Sequence, residues 1–388
     1  MRRLLNATLA AFLCAAPAAA QSLHLQHAVL LMRHGVRPPT KEPALSPALA
    51  PSPWPSWDVA PGYLTAHGAA AIKLLGAYDR GMFAKLASGA CPDVTIYADV
   101  DERTVKTGEA YAAGFAPHCA LAVGHAATPH DPLFSPLVTG TPLDSDAVKA
   151  QMLAAAGGDA DAPVRAHQAL FNEMQEILAP HGTSFLDLQG DITITAPGQM
   201  PRLKGTLSEG SSAAEDFLLE YLDGKPMSQV AWGRANAAQV AALLEMHPLA
   251  YTVTARPMGI AAVTAAPLAH RILEGLTGGT KLTVLVGHDT NQADLGGLLD
   301  LHWAPSGYPA DDIPPGGGII FSLLADAAGH QYVTATYQVQ SMAQIRDLTP
   351  LTKAHGPELQ PLAIPGCGNS TKATACTLAA FTKLVDAH

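Results

Sequence analysis

The sequence predicts an α/β fold: a mostly parallel sheet flanked by helices, with a smaller α-helical subdomain inserted into it. Three observations carry this. Three separate segments repeat one order, a short apolar strand, a polar turn, then a helix. Their strands are continuous apolar runs rather than alternating ones, as strands buried on both faces are. Residues 140–245 differ in character, being rich in Ala, Leu, Gln and Glu at helical spacing. The expected α/β part therefore covers 21–139 and 246–388, and the helical subdomain covers 140–245.

Each element follows from local residues. Residues 1–20 have a basic start (Arg2, Arg3), a short apolar run and an Ala-Ala-Ala end, which are the marks of a secretory signal peptide cleaved after Ala20. The run is shorter than the roughly 20 apolar residues of a membrane span, and Asn6 and Thr8 interrupt it. The first strand, Leu25 to Met32, ends at Arg33-His34. Pro38 to Pro61, rich in Pro, Ser and Trp, reads as a long ordered loop. The second strand, Val94 to Ala98, runs into Asp99 to Arg103, where a helix starts and continues to Ala116. Helical spacing marks Ala166 to Leu178, Ala213 to Leu222 and Trp232 to Met246. The third strand, Leu282 to Val286, ends at Gly287-His288-Asp289, with a helix from Gln292. Pro314 to Ala335 reads as a β-hairpin turning at Asp326 to Gly329. All three polar turns fall at carboxyl ends of strands, where open α/β sheets bind ligands.

Composition narrows the function classes. The 388 residues hold 23 basic and 33 acidic side chains, and only 14% are charged. Removing the leader leaves 21 basic against 33 acidic, a net charge of −12. A disordered chain needs more charge and less hydrophobicity, and a nucleic-acid binder needs a basic face. Four cysteines remain beyond the leader, Cys91, Cys119, Cys367 and Cys376, and an even count in an exported chain points to disulfides. Three pairings are possible; Cys91 with Cys119 and Cys367 with Cys376 lie closest in sequence. Without Cys-x-x-Cys there is no zinc-ribbon signature. The compartment is expected to be periplasmic, or else extracellular.

The chemistry sits in three turns. In Arg33-His34-Gly35-Val36-Arg37, two arginines flank one histidine. Like charge disfavours the imidazolium, so His34 stays a neutral nucleophile, and the guanidinium forks match phosphate oxygens. Gly35 would let the backbone turn close to a ligand. In Gly287-His288-Asp289, His288 can donate to a phosphate oxygen and Asp289 can protonate a leaving alcohol. In Asp99 to Thr104, Arg103 follows acidic residues that suit a helix start; its place at a third strand end makes it a third phosphate-binding arginine. No metal or other cofactor is called for: His24 with His27, and His125 with His130, read as surface residues. No Gly-x-Ser-x-Gly occurs, and Gly279-Thr280-Lys281 lacks the order of a phosphate loop.

These motifs resemble the histidine acid phosphatases, a branch of the histidine phosphatase superfamily, and most of all periplasmic bacterial phytases of the enterobacterial type. Further segments share the likeness: Asp99 to Cys119, Asp131 to Phe134, Trp232 to Arg234, Gly287 to Gly297 and Pro314 to Gly317. The resemblance implies His34 as nucleophile through a phosphohistidine and Asp289 as proton donor. It implies that Arg33, Arg37, Arg103 and His288 hold the phosphate, while Thr40, Lys41, Glu215 and His247 contact the substrate. Departures fall on specificity and stability. The chain has no cysteine between Cys119 and Cys367, Ser212 stands where a larger apolar residue is expected, and Thr264 replaces an arginine of some relatives. The expected partner is a small phosphate ester, with phytate (myo-inositol hexakisphosphate) first, for a monomer free of nucleic acid and membrane. The alternatives are a glucose-1-phosphatase or broad acid phosphatase, and a noncatalytic anion-binding protein on the same fold.

Overall fold

The computed structural model describes residues 23–178, 184–367 and 375–388. The leader expected at 1–20 lies outside these residues. In chain order the first elements are β1 (His24–Arg33), α1 (Ala66–Met82), β2 (Thr95–Ala98), α2 (Glu102–Phe115) and β3 (Val123–Gly124). There follow α3 (Ser145–Ala155), α4 (Ala162–Ala166), α5 (Gln168–Leu178), a hairpin of β4 (Asp191–Thr193) and β5 (Arg202–Lys204), α6 (Thr206–Leu222) and α7 (Ala237–Leu243). Then come α8 (Met246–Thr254), α9 (Met258–Thr264), α10 (Ala266–Thr277), β6 (Leu282–Gly287) and α11 (Asp289–Leu299). The chain closes with β7 (Gly318–Ala325), β8 (Gln331–Val339), α12 (Met342–Arg346), β9 (Glu358–Leu362), β10 (Cys376–Thr377) and α13 (Leu378–Val385).

One sheet runs β10-β8-β7-β1-β6-β2-β3, with β9 also on β8. The expected parallel sheet is the half that carries the site: β1, β6, β2 and β3 are parallel. The predicted hairpin, β7 and β8, extends it on the other side of β1 with antiparallel pairing. Register does the positioning. Arg33 lies opposite Gly287, and Val286 lies opposite Ala98. The turns that follow these residues, beginning at His34, His288 and Asp99, therefore emerge side by side although the sequence scatters them.

The apolar runs are buried as expected: Ala28 to Met32 and Leu282 to Val286 are at most 2% exposed. At about 25 cal/mol per Å² of apolar surface removed from water, such strands are the main reason the sheet forms. Several helix boundaries differ from expectation. The helix expected from Gln292 begins at Asp289, so that carboxylate sits in a first turn. The segment expected to be one helix from Trp232 to Met246 is broken. Ala231 and Trp232 adopt left-handed backbone angles, and a new helix starts at Ala237, with Asn236 as its cap in reciprocal bonds with Gln239. Sequence reasoning missed α1, whose Gly68, Gly76 and Gly81 lower helix propensity. Two of those glycines are contact points: a Cβ on Gly68 would lie 2.5 Å from the Val36 carbonyl oxygen, and one on Gly76 would lie 2.4 Å from that of Tyr111. Both disulfides form as sequence proximity suggests, Cys91–Cys119 and Cys367–Cys376. Among the described residues no helix is long and apolar enough to cross a membrane.

Candidate active site

His34 begins the turn after β1 and is 1% exposed. Its Nδ1 lies 2.8 Å from the Gly35 carbonyl oxygen. A carbonyl only accepts, so Nδ1 carries the hydrogen and Nε2 keeps the lone pair. Burial first, then Arg37, Arg33, His288 and Arg103, hold its pKa well below the ordinary histidine value. Gly35 also answers to packing. Its missing side chain makes room for packing, since a Cβ would lie 2.9 Å from Leu64 Cδ1 and 3.0 Å from Ile72 Cγ1. Its N–H donates to Thr107 Oγ1 at 2.9 Å.

Three arginines surround this ring. Arg33 is fully buried; it donates to the Ile313 carbonyl at 2.6 Å, bonds Glu215, and lies 2.8 Å from Asp289 Oδ2. Arg103 pairs with Asp101 at 2.6 Å and stands 3.3 Å from His288 Nδ1. Arg37 donates to the Pro38 carbonyl at 3.0 Å. In all three the Nε–H is buried without a partner. Buried donors are almost always satisfied, so three orphans on three neighbouring guanidiniums are what an anion would complete.

His288 differs from expectation in its bonding. Its Nε2 donates to Asp99 Oδ2 at 2.7 Å, and its Nδ1 faces Arg103. Both ring nitrogens are thus engaged within the protein, and Asp101 Oδ2 also lies 3.5 Å from Nε2. The acidic residues before Arg103 thus do more than suit a helix dipole. Asp101 precedes α2 without a side-chain capping bond, whereas Glu102 accepts from the Leu64 N–H at 2.9 Å. Asp99, Asp101 and His288 have ligand atoms within 4.8 Å of one another, but these atoms already serve each other and Arg103.

Asp289 lies 2.8 Å from Arg33 and 3.9 Å from His247 Nε2, and accepts from the Tyr251 hydroxyl. Burial alone would raise its pKa; Arg33, His247, His34 and Arg37 outweigh that and hold it well below the usual carboxylate range. His247 is itself buried, bonds Asp312 Oδ1 at 3.1 Å and lies 3.8 Å from Glu215. Despite its burial, Glu215 and Asp312 push its pKa up.

Two adjoining cavities result. The smaller, about 290 Å³, is lined by His34, Arg37, Arg103, His288 and Asp289. The larger, about 610 Å³, shares Arg37 and Asp289 and is lined further by Thr40, Lys41, Glu215 and His247. Every predicted site residue except Arg33 therefore lines one cavity or the other, and Arg33 sits behind them. Sequence reasoning missed the roles of Asp99, Tyr251 and Asp312, whose partners lie far away in the chain, and of Asp101, which joins its near neighbour Arg103 to the distant His288. It also set His130 on the surface; His130 is exposed, but with Ser135 it lines the smaller cavity. Its place beside Asp131 to Phe134, a segment already singled out, was the available signal.

The chain is similar to known proteins over nearly its whole length. The phytase AppA of Escherichia coli strain K12 is 35% identical, covering 94% of this chain and 92% of its own length. A glucose-1-phosphatase of Salmonella typhimurium is 28% identical, covering 89% of this chain and 88% of its own. The structure of Hafnia alvei phytase in complex with tartrate superposes with a TM-score of 0.89 at 34% identity, covering 96% of this chain and 98% of that one. The sequence profile of the histidine phosphatase superfamily (branch 2) matches residues 24–338. With that match across most of its length, and a buried histidine ringed by arginines at its strand ends, the chain belongs to the histidine phosphatase superfamily, branch 2.

Proposed function

We propose that this phosphoric monoester hydrolase acts on phytate through a phosphohistidine on His34, and that it works in the periplasm as a monomer. The observation that carries the reading is the ring of three arginines with unpartnered buried Nε–H groups around a histidine held neutral. Phosphoryl transfer asks mainly for positioning and for charge stabilisation on three oxygens. Arg33, Arg37, Arg103 and His288 supply both. The Nε2 lone pair of His34 attacks phosphorus, and the bond to the ester oxygen breaks as Asp289 gives that oxygen a proton. Asp289, now ionised, takes a proton from water, which attacks the phosphohistidine and releases inorganic phosphate.

The protein's own charges keep Asp289 ionised, which is opposite to what an acid needs. A phosphate monoester among the same arginines cancels part of that field and lifts the carboxyl toward its protonated form. Phytate leads over glucose 1-phosphate because the larger cleft joins the catalytic pocket and carries Lys41 and Arg202, cations that a single phosphate does not need. The relatives named as phytases point the same way. Exported localisation is supported by the leader-like 1–20 and by two disulfides. The test is kcat/KM for phytate, glucose 1-phosphate and an aryl phosphate at mildly acidic pH. Phytate should lead glucose 1-phosphate by at least about tenfold, about 1.4 kcal/mol of transition-state binding; the reverse order would replace phytate with the sugar phosphate.

A further inference from the structure

We propose that Arg202 is a specificity-determining residue that takes a second phosphate of a polyphosphorylated substrate. This rests on the phosphate-ester reading of the catalytic pocket. Arg202 stands on β5, paired across the hairpin with Thr193, and lines the larger cleft together with Lys41, which arrives from the loop after β1. The catalytic phosphate belongs in the smaller cavity, so these two cations have no role in holding it.

Arg202 is unusual in what it lacks. Other arginines at the surface are occupied: exposed Arg165 pairs with Asp159 and exposed Arg234 donates to the Glu176 carbonyl, while half-buried Arg80 donates to Ala87 and Gly89 carbonyls. Alone among the described arginines, Arg202 has a side chain with neither a hydrogen bond nor an ion pair, although the cleft also contains carboxyls. Of those carboxyls, Glu215 and Asp289 stay ionised but are paired with Arg33, and the other two are uncharged in acid. Burial pushes Asp216 up to about 7 and Asp294 up to about 8, so below neutral pH both are uncharged and neither repels an anion. A free guanidinium fork at the edge of a cleft of about 610 Å³, opening from a phosphate pocket, fits a phosphate on the body of the substrate.

The probe is myo-inositol hexakissulfate, a polyanion that cannot be dephosphorylated, used to inhibit hydrolysis of an aryl phosphate. In Arg202→Ala its inhibition constant should rise about tenfold, the effect of losing one exposed charge-assisted contact. Arg202→Lys should recover part of the loss. Inhibition by inorganic phosphate, and kcat/KM for the aryl ester, should stay within about twofold, which also shows that the variant is folded. An unchanged hexakissulfate constant, or an equal rise for inorganic phosphate, overturns the proposal. The assay does not require phytate to be turned over, so failure of phytate as substrate appears separately, in the wild-type rates.

Discussion

A buried imidazole beside three arginines has one way to stay uncharged and one nitrogen left to react. The Gly35 carbonyl fixes the hydrogen on Nδ1 of His34, and burial with the arginine field keeps the second proton off. Protonation of His34 therefore does not limit activity until well below its ordinary value, and the acid limb of kcat/KM is expected well below pH 6.5. Asp289 carries the complementary role. In Asp289→Asn, hydrolysis of alkyl phosphates should fall by roughly 10²–10⁴, the usual worth of a positioned acid, while an aryl phosphate, whose leaving group needs little protonation, should lose much less. Equal losses on both esters would remove Asp289 from the role of proton donor. These residues were legible because each sits in a short polar motif after an apolar run. Their pairings were not: Glu215, expected only as a substrate contact, lies 182 residues from its partner Arg33, and Asp99 lies 189 from His288, and no local pattern links such pairs.

At the scale of elements, two contacts hold the catalytic turn in place. Parallel register aligns the ends of β1, β6 and β2, and α1 presses on the turn from below through Gly68. The crossing of α1 with α2 is equally close: a Cβ on Gly76 would lie 2.4 Å from the Tyr111 carbonyl oxygen, and one on Gly114 would lie 2.0 Å from that of Lys73. Gly76→Ala should therefore cost at least about 2 kcal/mol by overpacking, read as a lower urea midpoint. Gly81→Ala in the same helix meets nothing within 4 Å, and should be neutral or stabilising by up to about 1 kcal/mol. Equal midpoints for the two variants would contradict the packing account. The strands were readable because burial on both faces demands continuous apolar runs. By contrast α1 was not, because its glycines answer to a neighbouring backbone rather than to helix propensity.

The whole molecule is acidic, with a formal net charge of −10, yet its proposed ligand is a polyanion. Approach must be favoured locally, by Arg37, Lys41, Arg103 and Arg202 around the cleft. Acid also suits the fold. Burial raises Asp79 and Asp216 to about 7, and Glu220 and Asp294 to about 8. A carboxyl raised above its unfolded value of about 4 contributes stability that is complete below that value and is lost as pH rises through the folded value. His247, also raised, acts in the same direction. Asp289, Glu215 and Asp99, all lowered, contribute stability that is lost as pH falls below about 4. His34, lowered as well, weakens the fold in acid, but it is one group against five. Tm should therefore be higher at about pH 5 than at about pH 8. Asp79, which accepts from Tyr111 and Gln338, is the simplest probe: Asp79→Asn should shrink that difference, and a Tm that rises toward pH 8 would refute the assignment.

Covalent catalysis by His34 is tested most directly by acid-free rapid quench of the enzyme with a labelled phosphate ester, followed by peptide mapping. An acid-labile, base-stable phosphoryl group is expected on the peptide carrying His34, formed faster than turnover and absent in His34→Ala. A label on another residue, or full turnover by His34→Ala, would contradict it.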